Sequence, residues 1–134
     1  MGVIDPTIKA ARIVYQLQRR GVTVEVVPRS AMIRDGAPVL GIYQTEAKTI
    51  QLQAGMDPML HLGVLVHEAA HYLLVTEADD CSEKSALAVV TFVAMIWGVD
   101  PRGIPQWRDV RELCGRPVKR ATRKLVTWGN RGVY

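Results

Sequence analysis

A chain of 134 residues, 49% hydrophobic and 22% charged, has the size and composition of one globular domain (1–134) with a modest core. Cys81 and Cys114 cannot form a disulfide framework, Met1 to Pro6 lacks the pattern of a secretory signal, and the longest apolar run, Ala86 to Trp97, is too short to cross a bilayer, so a cytoplasmic protein without a membrane segment is expected. The net charge of +4 is uneven: residues 1–100 carry 8 Lys/Arg against 11 Asp/Glu, and residues 101–134 carry 9 against 2.

Asp5-Pro6 reads as a helix cap followed by proline in the first turn. Ile8, Ala11, Val14 and Tyr15 form the apolar stripe of a helix over 6–20, stopped at Gly21. Val22, Val24 and Val26 alternate with polar residues, which predicts a half-buried strand ending before Pro28. Arg34 to Pro38 is a turn cluster. Two short strands, 39–44 and 48–53, then form a hairpin with one wet face, Ile50 and Leu52 pointing away from Thr49, Gln51 and Gln53.

Asp57-Pro58 repeats the cap-plus-proline start and opens a helix over 58–75. The next helix opens near Asp80 to Ser82 and runs to Trp97. Its stretch 86–97 is apolar on all sides, so it is expected to be the central buried helix. Turns at Pro101, Pro105 and Gly115 to Pro117 precede a basic helical stretch over 117–128. Helix, strand, hairpin and then helices make an α+β fold.

The helix over 58–75 carries His67-Glu68-Ala69-Ala70-His71, an H-E-x-x-H motif. Residues four apart share a helix face, so both imidazoles can reach one zinc ion at roughly 2.0–2.1 Å. Glu68 directly follows the first histidine, where its carboxylate can serve as general base for a water. Such a zinc takes three protein ligands and leaves one position open. The third histidine, His61, lies six residues before His67, well round the helix, and reads as a surface or cap residue. The third ligand is therefore a carboxylate, from Glu77, Asp79, Asp80 or Glu83. Glu83, in the first turn of the next helix, has the most rigid platform, although Asp80-x-x-Glu83 also reads as a capping box.

Glu83-Lys84-Ser85-Ala86 resembles the E-x-x-A helix that follows the H-E-x-x-H helix in ImmA/IrrE-type metallopeptidases. Gly41 to Tyr43 and Thr49 to Leu52 are similar to the hairpin before the zinc helix there, and Trp97 to Asp100 to the helix end after it. The likeness spans about residues 39–100. It implies a zincin-like, gluzincin-type fold, a short antiparallel sheet packed on the motif helix, with His67, His71 and Glu83 as zinc ligands and Glu68 as general base. It also implies an intracellular peptidase whose protein substrate is a transcriptional repressor or other regulator, often of a phage or mobile element.

The exposed hairpin edge near 48–53 is expected to hold a substrate extended, and Tyr72 and Tyr43 are candidates to assist the oxyanion, or else core rings with hydroxyls at the rim. Cys81 and Cys114 are expected to be small buried or half-buried residues. Arg116, Lys119, Arg120, Arg123, Lys124 and Arg131 line the basic stretch, beside Leu125, Val126 and Trp128. A solvated amphipathic helix is the default there, with nucleic-acid phosphates or an acidic partner as alternatives. No base-reading pattern accompanies it. Two other classes of function remain beside the peptidase: a zinc-stabilised protein that binds a regulator without cleaving it, and a nucleic-acid-binding protein using the basic segment.

Overall fold

The computed structural model describes residues 4–99 and 115–131. The elements run α1 (Pro6–Arg19), β1 (Thr23–Val27), a 3₁₀ turn (Arg29–Ala31), β2 (Ile33–Arg34), β3 (Ala37–Pro38), β4 (Gly41–Gln44), β5 (Thr49–Gln53), α2 (Pro58–Ala78), α3 (Glu83–Trp97) and α4 (Arg116–Asn130), an α+β fold. The expected turns at Pro101 and Pro105, and Cys114, lie outside the described residues.

Both cap-plus-proline starts are present. The Asp5 carboxylate accepts from the Thr7 and Ile8 amides, and that of Asp57 from Met59 and Leu60, satisfying amides that have no partner within the helix. α1 buries Ala10, Ile13 and Leu17, one face at helical spacing, and stops where Gly21 takes a left-handed φ of 80°.

The larger sheet has the order β1-β5-β4 and is mixed, not purely antiparallel. β4 and β5 form the expected antiparallel hairpin, with Tyr43 opposite Ile50, and β1 adds in parallel, with Val24 also opposite Ile50. β5 is therefore the central strand. The expected substrate edge at 48–53 is occupied on both sides, and the edge beside the motif helix is β4. The reason is burial: Ile50 and Leu52 are both fully enclosed, and Gln53 on the supposedly wet face is buried too, its side chain donating to the Val39 carbonyl.

The central position belongs to α2, which packs against α1, α3, α4, β4 and β5. It buries Leu62, Leu65, Val66, Ala69, Ala70, Leu73 and Leu74. By length and hydropathy alone α2 is long enough to cross a bilayer, but half of its apolar window lies inside the domain. α3 is correspondingly less enclosed than its composition predicts. Ala86, Val89, Val90 and Val93 are buried, while Met95 and Ile96 are 57% and 59% exposed, because α2 and α4 cover only part of its circumference. The Gly115 to Pro117 turn is the start of α4, with Gly115 as its N-cap.

Candidate metal centre

His67 and His71 sit one turn apart on α2 and turn their Nε2 atoms toward the same point, 3.2 Å from each other. Glu83, the first residue of α3, closes the group from the neighbouring helix. Its Oε2 lies 3.1 Å from His67 Nε2 and its Oε1 lies 2.8 Å from His71 Nε2. Donors sharing a tetrahedral ion at roughly 2.0–2.1 Å stand about 3.3 Å apart, so the separations of these three fit one ion. Burial holds the His67 imidazole below its usual pKa, against the opposing pull of Glu83, which favours the neutral ring a metal requires.

The connection between the helices puts Glu83 there. Asp79 adopts a left-handed φ of 52° and ends α2, its amide bonding the Val75 carbonyl. The Asp80 carboxylate accepts from the Ser82 amide at 2.9 Å and from Ser85 Oγ at 2.6 Å, which holds its pKa below the usual carboxylate range. Ser82 is the N-cap of α3 and accepts from the Ser85 amide at 3.2 Å. The capping pair is thus Ser82 with Ser85, not Asp80 with Glu83. Glu83 has no capping duty and turns to the histidines. The rival carboxylates are engaged elsewhere: Glu77 pairs with Lys124, Asp79 is the C-cap and Asp80 binds the serines.

Glu68 points to another side of α2, toward the sheet, and is only 8% exposed. Its carboxyl is pushed up to about 7, chiefly by burial and then by the charge of Glu83, with the Tyr43 backbone and Arg34 pulling it partway back. This closeness depends on Gly41. A Cβ there would stand 2.5 Å from Val64 Cγ1, 3.1 Å from Glu68 Cγ and 3.3 Å from Glu68 Oε2, so only glycine lets β4 lie against the helix at this point. Sequence reasoning missed both Gly41 and Arg34. A glycine inside a strand signals close backbone approach, and that signal was present for Gly41; nothing local marks Arg34, which arrives from β2.

These groups open onto one groove of about 1160 Å³, walled by Leu60, Val64, Leu87, Val90 and Trp97 beyond the polar cluster. Tyr43 lines the groove, whereas Tyr72 is buried and meets the Tyr43 ring edge-on at 6.0 Å. Cys81, expected to be buried or half-buried, is exposed at the groove, because the α2–α3 connection runs over the surface there. His61 is half-buried and lines a separate surface hollow together with Thr7, Val14 and Tyr15 of α1, outside the cluster. Among the described residues, His67, His71 and Glu83 are the group compatible with a metal ion. No family model, no curated protein and no solved structure matches this chain.

Proposed function

We propose that this chain is a zinc-dependent peptidase of the ImmA/IrrE type, acting inside the cell on a protein substrate, a transcriptional repressor or comparable regulator being the class the sequence resemblance suggests. The observation that carries this is the pairing of a three-donor group with a buried carboxylate on one groove. Two imidazoles and one carboxylate are the donor set of catalytic zinc in one group of peptidases, and suit zinc better than calcium or magnesium, which prefer oxygen. A zinc ion held by His67, His71 and Glu83 supplies Lewis acidity toward a peptide carbonyl and makes water a better nucleophile at neutral pH.

The remaining work falls to the chain itself. Glu68 takes a proton from the attacking water on its carboxylate and returns it to the leaving nitrogen, and its burial beside the groove favours holding that proton between the two steps. β4 lies beside Glu68, and among the described residues its outer edge carries no partner strand. An extended substrate segment can pair with the main chain of Gly41–Gln44 while its apolar side chains enter the groove.

The test is metal analysis together with cleavage of a peptide library read by mass spectrometry. His67→Ala, His71→Ala and Glu83→Ala are expected to lose zinc. Glu68→Gln is expected to keep zinc and to lose roughly 10²–10⁴-fold in cleavage rate. Equal cleavage by Glu68→Gln would refute the mechanism, and retention of zinc by Glu83→Ala would refute the ligand set.

A further inference from the structure

α4 presents a surface that the metal centre does not use. Its buried side is Val118, Ala121, Thr122, Leu125, Trp128 and Gly129. Its exposed side carries Arg116, Lys119, Arg120 and Arg123, with Arg131 just beyond and Lys124 paired to Glu77 of α2, and residues 115–131 contain no Asp or Glu. The described body, 4–99, has 8 Lys/Arg against 10 Asp/Glu, so the net positive charge of the described chain comes from α4 and Arg131.

The pattern runs against local helix rules. Arg116 with Arg120 and Lys119 with Arg123 are like charges four apart, each of which destabilises a helix. Arg116 and Lys119 also stand near the helix N-terminus, where the backbone dipole disfavours cations, and the first turn has no acidic residue to offset them. A merely solvated face alternates its signs and avoids both costs. Local rules broken together in one place mark a functional surface.

The surface is also firmly held. Lys9 Nζ donates to Asn130 Oδ1 at 2.8 Å, Arg12 donates to the Gly129 and Asn130 carbonyls at 3.2 and 3.3 Å, and Arg20 stacks 4.5 Å from the Trp128 ring centroid. No described residue of α4 lines the groove of the metal centre.

We infer that the exposed face of α4 binds the phosphate backbone of duplex nucleic acid without reading its sequence. The apolar side of the helix is committed to the core, so it is not available to enter a bilayer. The exposed side carries no large apolar residue to anchor a protein partner. Thr127, also on the exposed side, is a type that bonds phosphate and sugar. A rigid row of cations a helical turn apart matches a polyanion.

The test is fluorescence anisotropy with a labelled 20-base-pair DNA of arbitrary sequence and the full chain. With about four phosphates neutralised, the slope of log affinity against log salt is about −3.6, an affinity loss of about 150-fold between roughly 50 and 200 mM salt. Lys119→Gln/Arg120→Gln/Arg123→Gln is expected to flatten that slope to about −1 and weaken low-salt binding by tenfold or more. Its circular dichroism and zinc content are expected to be unchanged. Lys119→Arg/Arg120→Lys/Arg123→Lys, which keeps the charge, is expected to bind as the parent does. Absence of binding at roughly 50 mM salt, a salt-insensitive affinity, or an unaffected glutamine variant would overturn the proposal. So would tighter binding to poly-glutamate or to anionic phosphatidylserine vesicles than to the duplex. Because the zinc centre is scored separately, failure here leaves the peptidase proposal standing, and the reverse also holds.

Discussion

Gly41→Ala probes the contact that holds Glu68 beside the sheet. Gly41 is not among the residues with positive φ, so alanine meets no backbone strain and the cost is steric. The new methyl would stand 2.5 Å from Val64 Cγ1, well inside van der Waals contact, with Glu68 Cγ next at 3.1 Å. Forcing a methyl into such a contact costs about 1–3 kcal/mol, which for a domain of this size lowers Tm by about 4 °C per kcal/mol. The worst contact is with a side chain that can be trimmed. Val64→Ala in the same chain removes it, so the double variant is expected to be more stable than the two single effects added, by about 1 kcal/mol or more. Urea melts of the four proteins in a double-mutant cycle measure this, and zinc content is expected to be constant across them, since the atoms a Cβ at Gly41 meets first belong to Val64 and Glu68. A Gly41→Ala protein as stable as the parent, or strictly additive effects, would show that β4 does not rest on Val64 and Glu68 as described.

Two further outcomes follow from the same packing and charge. In chelator-treated protein, Glu68 titrates near 7 against an ordinary 4.5, so the folded state holds the proton more tightly than the unfolded one. That contribution is full below about 4.5 and is lost as pH rises through about 7; urea melts at about pH 5 and pH 8 are expected to differ by up to about 3 kcal/mol more in the parent than in Glu68→Gln. On α4, a Cβ at Gly129 would stand 2.5 Å from Trp97 Cζ2 and 2.8 Å from Cη2. Gly129→Ala is therefore expected to lower Tm despite a helix-propensity gain of about 1 kcal/mol, and a raised Tm would refute this account of the α3–α4 contact.

What could be read in advance was local. His67, Glu68 and His71 are related by one helical turn, and both cap-plus-proline starts are carried by adjacent residues. Glu83 stood first among four carboxylates by its place in the next helix and by the resemblance, whereas what orients it, the αL turn at Asp79 and the Ser82–Ser85 cap, depends on three-dimensional geometry. The parallel pairing of Thr23–Val27 with Thr49–Gln53 escaped because it joins strands separated by a turn, a small hairpin and β4, and alternation does not say which edge acquires a neighbour. The same holds for the exposed end of α3: composition counts apolar residues along a helix but not how many neighbours surround it.

The three metal-compatible donors and the strand that covers Glu68 come from separate parts of the chain. His67, His71 and Glu83 are confined to one helix–turn–helix unit, and the Gly41 contact belongs to the hairpin before it. Bringing the three donors together is thus a short-range event, with little loop entropy to overcome, whereas enclosing Glu68 requires the sheet to dock. On the proposed function, metal occupancy is expected to report the helix pair and activity the completion of the fold.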